Sequence, residues 1–139
     1  MSGFTRSNKL SAYSSVATHG GVAAGDPHRL VLMLMDGALE RLACARGCLE
    51  RGDIAQKAQL IHRAVGIIAE LRASLDRQQG GALANNLDDL YDYMERQLFR
   101  ANSENRASYL DEVASLLSEI RSAWVAVPLA LKTSAVPSR

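Results

Sequence analysis

Four segments of this 139-residue chain repeat apolar residues at alternating three- and four-residue steps, and each is bounded by residues that start or stop a helix. Such spacing lays the apolar side chains along one stripe of a 3.6-residue helix, and that stripe has to be buried against another element. The first segment carries Val31, Met35, Ala38, Leu42, Ala45 and Leu49. Asp26 suits its N-cap, and Pro27 suits its first helical position, where the missing N–H would have been orphaned anyway. Gly52 is a stop, and Asp53 caps the second segment, with Gln56 three residues on in a capping-box arrangement. That segment runs on Ile54, Ala58, Ile61, Val65, Ile68 and Leu75 until Gly80-Gly81 breaks it. The third carries Leu83, Leu87, Leu90, Met94, Leu98 and Ala101 and closes near Asn102. The fourth carries Leu110, Val113, Leu117, Ile120 and Trp124, and Pro128 forbids its continuation. Links of a few residues make successive helices antiparallel neighbours. The spacing therefore predicts an all-α, antiparallel, up-down four-helix bundle over residues 26–127. Residues 1–25, rich in Ser, Gly, Ala and Thr, read as a flexible N-terminal arm or short helix, and 128–139 as a C-terminal tail.

The helices carry more apolar surface than one stripe needs. Leu32 and Leu39 stand off the main seam of the first, Leu60, Ala64, Ile67 and Leu71 form a second row on the second, and Leu116 adds to the fourth. The tail continues apolar through Val125, Val127, Leu129 and Leu131. One reading makes both rows the core of a squat bundle. The other makes the surplus a groove for a partner helix, since large apolar patches left at a surface mark interaction sites. Gly37, Gly47 and Gly66 bear on both readings, because an interior glycine costs a helix roughly 1 kcal/mol relative to alanine. Close approach of another backbone would account for that cost, whether it comes from the bundle's own helices or from a partner.

Composition narrows the function. Lysines and arginines are mixed with acids to a formal charge of +1, and no basic stripe stands ready to neutralise phosphates, so nucleic acid is not an expected partner. No apolar run is long enough to span a bilayer, and the N-terminus lacks a signal-peptide core, which points to the cytoplasm. Cys44 and Cys48, four apart on a helix, share a face and read as small buried hydrophobes; four zinc ligands are not to be found. No Glu is followed by His three residues later, which removes the carboxylate-bridged di-iron bundles. His19, His28 and His62 form no relay, and Asp88, Asp89 and Asp92 read as a solvated helix face. Neither a phosphate-binding glycine loop nor a nucleophile elbow occurs. The residues thus point to a protein that binds rather than one that catalyses, with no cofactor and no metal.

Taken together, several segments resemble the flagellar export chaperone FliS family. Asp26-Pro27-His28-Arg29-Leu30-Val31-Leu32-Met33-Leu34-Met35-Asp36-Gly37-Ala38-Leu39 is similar to the family's opening helix. Gly52-Asp53, Leu75-Asp76, Gly80-Gly81 and Asn86-Leu87-Asp88-Asp89-Leu90-Tyr91-Asp92-Tyr93-Met94 follow its second and third helices, the Leu90–Met94 stretch being the most specific. Ala101-Asn102, Glu112-Val113, Leu116-Leu117 and Ala123-Trp124 match its last helix, and Ala12-Tyr13 before Val16 matches its N-terminal pattern. Met35 departs from the family's Tyr or Phe.

The resemblance implies a cytosolic export chaperone. Such a protein binds the C-terminal segment of flagellin, blocks premature polymerisation and presents its client to the type III export gate protein FlhA, with a further link to the anti-sigma factor FlgM. It also implies that the arm, through Leu10, Tyr13 and Val16, covers apolar surface in the free protein and contributes to docking at the gate. Leu32, Leu39, Leu60, Ile67, Leu71 and Leu116 are the expected client contacts. The alternative is a helical adaptor bundle that binds some other amphipathic helix.

Overall fold

Every regular element among the described residues, 26–126 of the computed structural model, is an α-helix: α1 (Pro27–Arg51), α2 (Ile54–Ala73), α3 (Arg77–Glu104) and α4 (Ala107–Ala126). Leu10, Tyr13, Val16 and the tail beyond 126 lie outside the described residues. The chain divides into two units, Met1–Met33 and Leu34–Arg139.

Of the first unit, the described part is the opening of α1. Asp26 acts as the N-cap: its Oδ1 accepts the Arg29 N–H at 3.0 Å and its carbonyl accepts the Leu30 N–H at 3.2 Å. Leu30, Val31 and Leu32 are half-buried there, and Met33 is exposed.

The second unit is the bundle. Leu42 and Ala45 of α1, Ile61 and Ile68 of α2, Met94 and Leu98 of α3, and Val113 and Leu117 of α4 are all at most 2% exposed, so four stripes meet in one core. Polar side-chain contacts give the helix directions. From Asp36 to Arg46 on α1 the partner on α4 falls from Arg121 to Asp111, and from Lys57 to Arg72 on α2 the partner on α3 falls from Asn102 to Asp88. Both pairs of helices are antiparallel. α3 packs against both α2 and α4 and is the strut between them.

The α1–α2 link follows the expected chemistry. Gly52 takes φ +79°, and the Asp53 N–H reaches back to the Cys48 carbonyl at 2.8 Å, the six-to-one bond of a Schellman stop. Asp53 Oδ1 then accepts the Gln56 N–H at 3.3 Å and opens α2. At the next link the expectation needs correcting. The second helix stops at Ala73, where the Ser74 hydroxyl donates to the Leu71 carbonyl at 2.7 Å, and not at the glycine pair. Gly80-Gly81 instead breaks α3 near its start, with Gly81 at φ 56°, ψ −130°.

Three further expectations change. On α2 the surplus row is core: Leu60, Ala64 and Leu71 are buried, whereas Ile54 of the assumed seam is 45% exposed. On α3, Leu83 is 57% exposed. On α1, Cys48 is buried as a small hydrophobe but Cys44 is exposed, so the two cysteines do not share the buried face.

Candidate functional site

The six apolar candidates fall at different depths. Leu60 and Leu71, at 9% and 1% exposure, belong to the core. Leu32 in the opening of α1, and Leu39, Ile67 and Leu116 within the bundle, are half-buried. Nor do the last three share a face. The Ile67 Cδ1 lies 3.6 Å from where a Cβ on Gly37 would stand, so it packs over α1 in the α1–α2 seam. Leu39 sits on α1 between Asp36 and Arg46, the residues that reach α4. Leu116 follows by one turn Glu112, the residue that reaches α3. The bundle therefore offers half-buried leucine and isoleucine at three separate seams rather than one continuous groove. The large apolar side chains most open to water are others, Phe99 at 60% and Leu83 at 57% among them.

The interior glycines are not explained by tight packing within the bundle. A Cβ on Gly66 would meet nothing within 4 Å, and on Gly37 it would make ordinary contacts. At Gly47 the nearest atom would be the tip of Arg51, at 3.1 Å.

Polar contacts tie these seams together. Arg72 of α2 donates to Asp88 Oδ1 at 2.6 Å and Asp92 Oδ1 at 3.2 Å, and lies 3.7 Å from Glu95, so one guanidinium holds three carboxylates on successive turns of α3. Arg96 shares Asp92 at 3.0 Å. Burial pushes the Glu95 carboxyl above the usual glutamate range, against the pull of Arg72. On the α3–α4 side, Glu112 accepts from the Tyr93 hydroxyl at 2.6 Å and from Gln97 Nε2 at 3.0 Å. That bond to Glu112 raises the Tyr93 phenol above its ordinary value, while burial alone takes Tyr91 up to about 12. Between α1 and α4, the bond from Arg46 holds the Asp111 carboxyl below its ordinary range.

Lys57 is the residue that sequence reasoning missed most plainly. It is 1% exposed, and its Nζ donates to both the carbonyl (2.9 Å) and Oδ1 (2.7 Å) of Asn102. A signal existed, because position 57 falls on the same stripe as Ile61, Ala64 and Ile68. A lysine on a core stripe has to find oxygen acceptors inside the protein.

Nothing in this arrangement gathers reactive groups. Among the described residues no set of three or more His, Cys, Asp or Glu could hold a metal ion, and no helix is long and apolar enough to cross a membrane. What the geometry offers is a helical scaffold with apolar seams rimmed by charge. The sequence model of the flagellar protein FliS family matches residues 9–130, which takes in all four helices. The chain belongs to the FliS family.

FliS relatives align along most of their length. Flagellar secretion chaperone FliSB of Pseudomonas aeruginosa is 50% identical over 115 residues, covering 83% of this chain and 91% of that protein. Flagellar secretion chaperone FliS of Salmonella typhimurium is 44% identical over 116 residues (83% and 86%), and that of Vibrio cholerae 40% over 119 (86% and 88%). These FliS proteins are named as chaperones, whose work is binding. Within the fold, the segment that most resembles the family is structural. Tyr91 and Met94 are core, Asp92 bridges Arg72 and Arg96, and Tyr93 ties α3 to α4. Met35 is 1% exposed and belongs to the core.

Proposed function

We propose that this chain binds the C-terminal segment of flagellin in the cytoplasm, prevents its premature polymerisation and delivers it to the flagellar type III export apparatus. Membership of a family whose relatives are named flagellar secretion chaperones carries the reading. The apolar seams add physical support. An amphipathic segment needs apolar surface that the bundle has not fully buried, and Leu39, Ile67 and Leu116 supply it at three places around the helices. A client that meets all three has to wrap the bundle rather than fill one groove. Leu32 in the opening of α1, and Leu60 and Leu71 within the bundle, are the remaining proposed contacts. No chemical step is required of the protein.

The arm is proposed to act through Leu10, Tyr13 and Val16, covering apolar surface in the free protein and contributing to docking at FlhA. FlgM is a second proposed partner. Titration with the C-terminal segment of the cognate flagellin tests the core of this proposal. One-to-one binding tighter than about 1 μM, or roughly −8 kcal/mol, supports it, and no binding at tens of micromolar defeats it. Deleting residues 1–17 is expected to change affinity for client or for FlhA. Unchanged binding to both removes the arm's role and leaves the flagellin assignment standing.

A further inference from the structure

Lys57 is buried with no carboxylate paired to it among the described residues, and its partner explains why it is there. Asn102 lies in the last turn of α3, where four carbonyls have no acceptor role left inside the helix and the helix dipole is negative. The Ala101 carbonyl is taken by the Asn105 N–H at 2.9 Å, with Asn105 at φ 55°, a left-handed conformation that ends the helix. The Asn102 carbonyl is taken by Lys57 Nζ, which bonds the Asn102 side chain as well. The ammonium thus caps the C-terminus of a helix other than its own. Two residues after Asn105, α4 begins and carries Leu110, Val113 and Leu117 into the core. On the outside of the same corner, the Arg100 guanidinium stacks over the Tyr109 ring at 5.4 Å while the Tyr109 hydroxyl donates to Glu104 at 3.2 Å.

We propose that Lys57 is a positioning residue: from α2 it fixes the α3–α4 corner, and so the entry of α4 into the bundle. Burial disfavours the charged amine, and the two Asn102 oxygens are what hold it there. A methionine at that place would carry no charge to desolvate, but it would leave the Asn102 carbonyl and Oδ1 without their donor. The corner would then lose its only interhelical cap among the described residues. This inference stands whether or not flagellin is the client.

Denaturant unfolding and residue-resolved amide exchange on the full chain test it. In Lys57→Met the unfolding transition should stay cooperative, with a midpoint no higher than the parent's, while the Asn105 amide loses about tenfold in protection, more than any amide of α1. Asn102→Asp places a carboxylate on the ammonium and should raise protection at Asn105, a gain that disappears in the double variant with Lys57→Met. A uniform fall in protection through all four helices of Lys57→Met would make Lys57 an ordinary core residue and overturn the proposal, as would failure of that variant to fold. Unchanged protection at Asn105 in Lys57→Met, or a gain in Asn102→Asp that survives Lys57→Met, overturns it equally.

Discussion

The two ends of α3 are built by opposite means. At its start the chain bends through Gly80-Gly81, and the bend is a property of the backbone. Gly81 sits at φ 56°, ψ −130°, a region closed to side chains with a Cβ, and a Cβ on Gly80 would stand 2.8 Å from that of Ala84. At its end the chain turns on Asn105, and the turn is held by other parts of the molecule: Lys57 from inside, Arg100 and Tyr109 from outside. A corner specified by glycine is written where it occurs. A corner specified by tertiary contacts is written forty-five residues away, at Lys57.

The comparison predicts a ranking of mutational costs. Gly81→Ala should be the most damaging of these changes, costing about 2–3 kcal/mol in denaturant unfolding, because no side chain relieves its backbone strain. Asn105→Ala should cost about 1 kcal/mol, while Asn105→Gly should be close to neutral, since asparagine already tolerates the left-handed conformation. If Asn105→Ala proved the costlier, the glycine corner would not be the more tightly specified one.

Smaller effects test the charges along the strut between the corners. Glu95 has a raised folded-state pKa, so its contribution to stability is present below the ordinary glutamate range and is lost as pH rises through the higher folded value. Glu95→Gln should therefore match or slightly exceed the parent at neutral pH, and the parent should gain on it as the solution is acidified. A parent that loses ground instead would mean that attraction to Arg72 outweighs burial. The smallest effect is expected for Arg121→Ala, which removes an exposed pair with Asp36 between α1 and α4. Its melting temperature should fall slightly at low salt, and the difference should shrink as salt screens the pair.

Much of the fold was legible because helix stops and starts are local chemistry. Asp26, Gly52 and Asp53 each do what their residue types favour, and the stripes of α1, α3 and α4 lie largely where the periodicity placed them. The second helix misled for a physical reason. Its apolar residues ring most of the circumference, so periodicity alone could not choose between the row of Ile54, Ala58, Ile61, Val65, Ile68 and Leu75 and the row of Leu60, Ala64, Ile67 and Leu71. Burial took Ile61 and Ile68 from the first and Leu60, Ala64 and Leu71 from the second. The same ambiguity scattered the candidate site, because a residue beside a stripe can face either of two neighbouring helices, and only the assembled bundle decides which. Phe99 and Lys57 broke the polarity rule in opposite directions, an exposed ring and a buried ammonium, and both needed the fold to be seen.

The function we propose is that this chain holds flagellin and does not transform it. Seeded flagellin polymerisation, followed while the chaperone is titrated in, tests this most directly. Growth should stop as the two proteins reach equal molar amounts, with the flagellin recovered at its original mass and competent to polymerise once separated. Suppression at a small fraction of the flagellin concentration, or filaments that grow undisturbed beside an excess of the chaperone, would contradict it.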